Sequence, residues 1–366
     1  MIVAAEKIHI DRFLSLAKDC LVLDVRSPIE YRHAHIPGAC NLPLFTDEER
    51  KIVGTAYKQQ GRKEAIDLGL EFFVPKMKRM VEDVVALLKE RCENGDSRLL
   101  IHCWRGGMRS EAVAWLMDLY GYRVFTLAGG YKRFRNYVLD TFRRRFRFKI
   151  LGGYTGSGKT GILKTLEARG ERIVDLEEMA CHKGSAFGNI GLPPQPTKEM
   201  FENLLAARLN ACWPPAGFPN VPDTECPDVW LEDESQRIGQ VNIPNDLWKT
   251  MRSSPVYFLD IPFEERLRHL VEEYGGLNRP RMLDAIGRIR ERLGGLNAQN
   301  ATRLLEEGNV TECFRILLTY YDKAYFKSLH NREDLNSLLH VVRSASVTHE
   351  NANQLLRRSR LSLQKL

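Results

Sequence analysis

Hydrophobic and polar positions follow two rhythms along this chain. Short, β-rich apolar runs stand at Cys20-Leu21-Val22-Leu23-Asp24-Val25, at Leu99-Leu100-Ile101-His102 and at Arg123-Val124-Phe125-Thr126-Leu127. Between the first two, Val74 to Arg91 carries apolar residues three and four apart, the spacing of one helix face. Glu111 to Tyr120 repeats that spacing over a shorter span. Strands alternating with helices predict a parallel α/β sheet over residues 1–130. A second series opens at Phe148-Lys149-Ile150-Leu151, a strand that runs into glycines. Further strands are predicted at Arg172 to Asp175, Asp228 to Leu231 and Pro255 to Leu259, with a helix over Phe263 to Tyr274. From Met282 onward the pattern is mostly helical. Residues 131–147 read as a basic helical connector, and the Pro-rich stretch from Cys212 to Pro227 as a long loop. The predicted organisation is therefore a first α/β domain over 1–130, the connector 131–147, a second α/β domain over 148–281, and a helical region over 282–366 packed with the second domain.

Composition supports two soluble domains. The chain has 366 residues, 43% hydrophobic and 28% charged, more than one core usually serves. No apolar run approaches the roughly 20 residues of a membrane span, and the N-terminus contains acids without a long apolar core. The expectation is a cytoplasmic monomer with no membrane partner. Eight cysteines, Cys20, Cys40, Cys92, Cys103, Cys181, Cys212, Cys226 and Cys313, are scattered without a CxxC pair. That spacing argues against a zinc site or a disulfide framework.

Formal net charge is +7, and it is concentrated. Tyr131 to Lys149 holds Lys132, Arg133, Arg135, Arg143, Arg144, Arg145, Arg147 and Lys149 against one acid, Asp140. Such a cluster suits a polyanion; the plainer alternative is a solvated helix face.

One cysteine stands out by context. His102-Cys103-Trp104-Arg105-Gly106-Gly107-Met108-Arg109-Ser110 lies between a predicted strand and a predicted helix. A glycine-rich turn at a helix N-terminus aims amide N–H groups and the positive end of the helix dipole inward, which favours a thiolate. Arg109 adds a fork suited to a tetrahedral oxyanion. Cys103, Arg105 and Arg109 are thus candidate catalytic residues facing an anionic substrate. Upstream stand Asp24-Val25-Arg26, Glu30-Tyr31, His35-Ile36-Pro37-Gly38-Ala39 and Asn41, and downstream Leu127-Ala128-Gly129-Gly130. With these residues the chain resembles the rhodanese family over roughly residues 5–135. One departure is informative. Sulfur-transferring rhodaneses typically place four residues between the cysteine and the loop arginine, whereas this chain has five. The longer loop resembles that of phosphatases built on the same fold, and suits a phosphate-sized group.

A second motif, Gly153-Tyr154-Thr155-Gly156-Ser157-Gly158-Lys159-Thr160, fits G-x-x-x-x-G-K-[ST] in full, after a strand and before a helix. Gly153, Thr155, Gly156, Ser157 and Gly158 would present backbone amides to a phosphate. Lys159 would meet its terminal oxygens, and Thr160 would offer a hydroxyl to Mg2+. The acidic partner of that metal is expected from Glu232-Asp233-Glu234, with Asp233 and Glu232 preferred and Asp175 as the rival. The loop alone does not say which phosphorylated ligand binds.

Taken together, the two loops, the stretch Gly188 to Pro196 and the run Glu232 to Gly239 resemble the tRNA 2-selenouridine synthase family over nearly the full length. The fold implied is a rhodanese-like parallel-sheet domain followed by a P-loop NTPase-like α/β domain. The activity implied is conversion of wobble 2-thiouridine in tRNA to 2-selenouridine, first by S-geranylation from geranyl diphosphate and then by selenation from selenophosphate. Cys103 would attack or carry selenium, with Arg105 and Arg109 on the phosphate part. Geranyl diphosphate and selenophosphate are then co-substrates, with Mg2+ at the P-loop and no permanently bound cofactor. A selenophosphate-supplying enzyme becomes a candidate partner. tRNA would lie on Lys132, Arg133, Arg135, Arg143, Arg144 and Arg145, with Trp104 either stacked on the wobble base or covering its loop. The alternative is a rhodanese-fold phosphatase or sulfurtransferase coupled to a P-loop nucleotidase.

Overall fold

Leu21–Asp24 is buried at every position, as a strand covered by helices on both faces requires. The computed structural model describes residues 5–91, 97–213, 226–276 and 278–363. In it the chain divides into two compact units, Met1–Thr141 and Phe142–Leu366. Cys92 and most of the Pro-rich stretch 212–227 lie outside the described residues.

The first unit runs β1 (Glu6–Ile8), α1 (Ile10–Leu16), β2 (Leu21–Asp24), α2 (Pro28–His33), β3 (Cys40–Asn41), α3 (Asp47–Gln59), α4 (Arg62–Phe73), α5 (Met77–Arg91), β4 (Arg98–His102), α6 (Met108–Leu119), β5 (Arg123–Leu127) and α7 (Gly130–Thr141). Its five strands pair in parallel in the order β1-β5-β4-β2-β3. The expected α/β sheet is therefore present. The predicted helix at Val74 starts later, because Val74–Lys76 is a 3-10 turn and α5 begins at Met77. Helices α3 and α4 were not expected. Thr46 starts α3 with a capping box: its hydroxyl accepts the Glu49 N–H at 3.2 Å and the Glu49 carboxylate accepts the Thr46 N–H at 2.8 Å.

The expected connector does not form a separate element. Tyr131, Phe134 and Val138 on α7 are almost completely buried, which ties that helix to the first unit while its charges fall on the outer face. Residues 142–147 belong to the second unit, where Phe146 stacks on Phe148 with ring centroids 5.3 Å apart.

The second unit runs β6 (Arg147–Gly153), α8 (Lys159–Ala168), β7 (Ile173–Val174), α9 (Leu176–Ala180), α10 (Lys198–Ala211), β8 (Asp228–Glu232), β9 (Arg237–Ile238), β10 (Val241–Asn242), α11 (Asn245–Arg252), β11 (Val256–Asp260), α12 (Phe263–Tyr274), α13 (Arg279–Arg288), α14 (Arg290–Leu293), α15 (Gly295–Glu306), α16 (Val310–His330), α17 (Leu335–Leu338), β12 (Leu339–Arg343) and α18 (Asn351–Leu363). Five parallel strands pair in the order β12-β11-β6-β8-β7, and β9 and β10 form an antiparallel pair. The expected helical region contains a strand: β12 lies beside β11 and carries the sheet past residue 282. One core gathers α12 to α16 around Phe187, Ile190 and Phe314; another joins the sheet to α8 and α18. Among the described residues, no helix is long and apolar enough to cross a membrane.

Candidate active sites

In the first unit, β4 ends at His102 and α6 begins at Met108, so Cys103 sits where a buried strand turns into a helix. The sharpness of the turn depends on two glycines. Gly106 and Gly130 approach each other, both with positive φ, and a Cβ on Gly130 would collide with the Cys103 carbonyl oxygen and the Gly106 nitrogen. Two N–H groups of α7 fasten the loop: Tyr131 donates to the Cys103 carbonyl at 2.8 Å and Lys132 to that of Trp104 at 3.0 Å.

Cys103 is 3% exposed, and its Sγ lies 3.3 Å from the Ser110 hydroxyl. Burial works to raise the thiol pKa, but the Ser110 hydroxyl, the backbone at Gly107 and the Arg109 charge outweigh it, and the net shift is downward. Arg109 donates to Glu30 at 2.9 Å. Burial opposes ionisation of Glu30, yet Arg109 holds its carboxyl below the usual range. Glu30 also accepts the Ser27 N–H at 3.2 Å, so the helix start of α2 fixes the arginine's partner. Arg105 is exposed on the same loop, and Trp104 packs against Tyr131 with centroids 5.7 Å apart.

The signature residues upstream are scaffold. Arg26 is 1% exposed, makes a bidentate pair with buried Asp24 at 2.6–3.0 Å, donates to the Ala34 carbonyl and lies 3.8 Å from the Tyr131 ring centroid. Asn41 donates to the carbonyls of Asp24 and Arg26 at 2.9 and 3.0 Å. His102 is fully buried beside Asp24, and burial lowers its pKa, keeping the ring neutral.

In the second unit, the P-loop leaves the C-terminal end of β6 between β8 and β11, where ligands of open α/β sheets bind. Lys159 Nζ donates to the Gly153 carbonyl at 3.0 Å, folding its charge over the loop. Gly156 has φ +82°, and a Cβ there would stand 2.7 Å from the Arg266 carbonyl. Arg266, which sequence reasoning missed, is 3% exposed. It donates to the Thr155 carbonyl at 3.0 Å and is neutralised by Asp322 at 2.8 and 2.9 Å. Its signal was a cation on the apolar face of α12, beside Phe263, Leu267 and Leu270. The Ser157 hydroxyl is buried with no protein partner.

The carboxylates sort differently from expectation. Asp233 is taken by Arg332 at 2.7 and 2.9 Å and by the Tyr325 hydroxyl at 2.7 Å, and Tyr325 also accepts the Gly153 N–H at 3.2 Å. Glu232 accepts the Glu177 N–H at 2.8 Å. Burial and the charges of Asp175 and Glu177 push the Glu232 carboxyl well above the usual range. Asp175 caps α9 by accepting the Glu178 N–H. The carboxylate in contact with Thr160 is Glu177, at 3.3 Å from the hydroxyl. Burial raises its pKa against the pull of Lys159. Glu177 went unnoticed in the sequence because it stands inside a short helix after a two-residue strand. A hydroxyl and a carboxylate beside a phosphate cradle fit a hard divalent cation such as Mg2+, which takes few protein ligands.

The motif stretches downstream are stapled together. Gln195 donates to the carbonyls of Ala180 and Ile238 at 2.9 and 3.1 Å and accepts the Gln240 N–H at 2.9 Å. The basic run divides. Lys132 and Arg133 are exposed and Arg135 half-buried on α7, while Arg143, Arg144 and Arg145 belong to the second unit. There Arg144 donates to Asn210 and Arg143 lies 3.7 Å from Asp246. Arg147 and Lys149 are both paired with Asp228, at 2.7 and 2.9 Å, so they tie β6 to its neighbour β8.

Comparison with known proteins agrees with this arrangement. A family model for the rhodanese-like domain matches residues 10–137. A model described as the tRNA 2-selenouridine synthase AAA domain matches residues 146–349. A tRNA 2-selenouridine synthase of Hydrogenovibrio crunogenus is 36% identical over 86% of this chain and 91% of its own. Another, of Bdellovibrio bacteriovorus, is 33% identical over 85% of this chain and 89% of its own. A solved N-terminal domain of a Clostridium difficile protein described as ATP/GTP binding is 39% identical over 37% of this chain and 99% of its own, at a TM-score of 0.33. With a family model spanning more than half of its length and relatives aligned almost end to end, the chain belongs to the tRNA 2-selenouridine synthase family.

Proposed function

We propose that this protein converts wobble 2-thiouridine in tRNA to 2-selenouridine, S-geranylating the sulfur in the second unit and replacing it with selenium in the first. The observation that carries the reading is the cavity at the P-loop. It measures about 380 Å³ and continues from Thr155–Thr160 onto a wall that includes Phe187, Leu270, Tyr274, Phe314 and Tyr321. A diphosphate joined to a branched hydrocarbon fits a cationic cradle with an apolar wall.

In the first step the nucleobase sulfur attacks C1 of the geranyl group. The C1–O bond breaks, its electron pair leaves with diphosphate, and the base loses its N3 proton. The loop amides and Lys159 stabilise the charge that grows on the leaving oxygen. Mg2+ held by Thr160 and Glu177 would add Lewis-acid neutralisation of the diphosphate. Tyr325, between Gly153 and Asp233, fixes the start of the loop.

In the second step the Cys103 thiolate attacks the phosphorus of selenophosphate. A sulfur–phosphorus bond forms, the phosphorus–selenium bond breaks, and selenide is released. Selenide adds at C2 of the alkylated base, the C2–S bond breaks, and geranylthiolate departs and takes up a proton. Water then cleaves the phosphocysteine to phosphate and free thiol. No oxidant or reductant is needed. The five-residue spacing to Arg109 supports this role, because the roomier loop accepts a tetrahedral phosphoryl group.

The test is mass spectrometry of nucleosides from 2-thiouridine tRNA incubated with the protein, geranyl diphosphate and Mg2+, with and without selenophosphate. The expected result is one added geranyl group, replaced by selenium when selenophosphate is present. An unchanged nucleoside in both arms would falsify the reading.

A further inference from the structure

A cleft of about 810 Å³ in the first unit is far larger than a tetrahedral anion fills. One wall is the Cys103 loop itself, through Cys103, Trp104, Gly107, Met108 and Arg109. The other is α3 and α4. On α4, Ala65, Ile66, Gly69, Leu70 and Phe73 recur at helical spacing and line the cleft with apolar or minimal side chains. Phe45 and Phe73 are buried in its floor. Nearer the mouth, Tyr57, Ile66 and Leu70 are 54%, 38% and 50% exposed, and Trp104 and Met108 across from them are 37% and 44% exposed. Large apolar side chains left open around a reactive thiol mark a ligand with a hydrocarbon part. Arg50, Lys51, Lys58 and Arg105 line the same cleft and supply cations for a phosphate backbone.

We infer that this cleft holds the ten-carbon isoprenoid chain of the S-alkylated nucleotide while selenium replaces it at Cys103. The inference deepens the second step proposed above and rests on it. An isoprenoid chain is favoured over a docked protein because the cleft is continuous with the thiol. Its occupant must bring a reacting carbon to the selenide released beside Sγ and an apolar body to α4 at once. The alkylated base has that shape, with sulfur at the junction. The prenyl group is then more than an activating substituent: its burial distinguishes an alkylated nucleotide from the unreacted 2-thiouridine, so selenide is spent on the right substrate.

The test compares two anticodon stem-loop RNAs in selenation by the full chain with selenophosphate. One carries S-geranyl-2-thiouridine and the other S-methyl-2-thiouridine. The leaving thiolates have similar basicity, so a difference reads the chain. The wild-type protein should select geranyl over methyl at least tenfold in kcat/KM, mostly through KM. Leu70→Asp and, separately, the more exposed Tyr57→Asp should collapse that ratio toward one, with unchanged melting temperature. Equal selenation of both RNAs by the wild type, or a ratio untouched in both variants, overturns the inference and leaves the Cys103 step intact. Selenation of neither RNA by the wild type sinks the step itself. A ratio near one, with rates that fall in the variants only when a selenophosphate-supplying enzyme replaces free selenophosphate, assigns the cleft to protein docking and overturns the inference too.

Discussion

At the scale of the residue, each unit sets a charge by burial and by neighbours that oppose it. Cys103 is buried, which alone disfavours a thiolate, yet Ser110, the Gly107 backbone and Arg109 bring its pKa below the ordinary value. A lowered pKa keeps the thiolate populated to lower pH. Ser110→Ala removes the hydroxyl 3.3 Å from Sγ, so the midpoint of Cys103 alkylation by iodoacetamide should move to higher pH. Selenation should fall most at the acidic end of its profile. An unmoved midpoint would show that Ser110 does not stabilise the thiolate. Glu232 presents the opposite case. Its pKa is raised by burial and by Asp175 and Glu177. The unfolded chain therefore releases this proton first as pH rises, and the native state loses stability from the ordinary carboxylate range up through the raised value. Glu232→Gln keeps an acceptor for the Glu177 N–H and removes the charge. It should raise the melting temperature at pH 7–8 by about 2–4 °C, the effect of roughly 1 kcal/mol in a unit of this size. The gain should vanish below about pH 4, where Glu232 is protonated in both states. Equal gains at pH 4 and pH 8 would show that the buried charge is not the cause.

At the scale of the element, α7 does more than carry cations. Its first residues lock the Cys103 loop from behind, and Gly130 is the tightest point of that contact. Gly130→Ala puts a Cβ against the Cys103 carbonyl in a left-handed backbone that alone costs about 1–2 kcal/mol. Selenation of a supplied S-geranyl RNA should drop more than tenfold, while geranylation, proposed above for the second unit, should stay within twofold. Equal loss of both activities would mean that the distortion spreads beyond the loop. The same helix shows what the sequence disclosed and what it hid. Its charges at Lys132, Arg133 and Arg135 were conspicuous. Tyr131, Phe134 and Val138, spaced three and four apart, are equally present, and their burial makes the helix part of the first unit rather than a connector. Both phosphate-type loops were legible because each is a contiguous run whose spacing is its geometry. The carboxylate and tyrosine partners were not. Tyr325 reaches Asp233 across 92 positions, and Glu177 meets Thr160 only because β7 and β6 lie in one sheet with β8 between them. Helices α3 and α4 escaped notice for a related reason. Their apolar positions face a cleft and are diluted by charges, so neither shows a strong core stripe.

At the scale of the whole molecule, the two proposed reacting centres stand in units with separate cores, so damage to one centre should leave the other working. Lys159→Ala removes the cation from the P-loop and should lower geranylation more than a hundredfold, yet the variant should still selenate S-geranyl RNA supplied to it. Cys103→Ser should do the reverse and accumulate the S-geranyl nucleotide from 2-thiouridine tRNA. A mixture of the two variants should restore 2-selenouridine, because the alkylated tRNA made by one molecule is a complete substrate for the other. Restoration through free tRNA has a further signature. The tRNA contacts expected from the sequence, Lys132 and Arg133 in the first unit and Arg143 and Arg145 in the second, would release counterions and so make each encounter weaken with salt. The mixed variants meet the tRNA twice for each product formed, whereas the intact protein meets it once if it keeps the intermediate. The yield of the mixture, measured at limiting enzyme between 50 and 200 mM salt as about a fourfold change in ionic strength, should therefore fall more steeply than that of the wild type. Parallel slopes would show that the wild type also releases the alkylated tRNA between steps. A mixture that makes no 2-selenouridine at any salt would show that the intermediate passes only within one molecule.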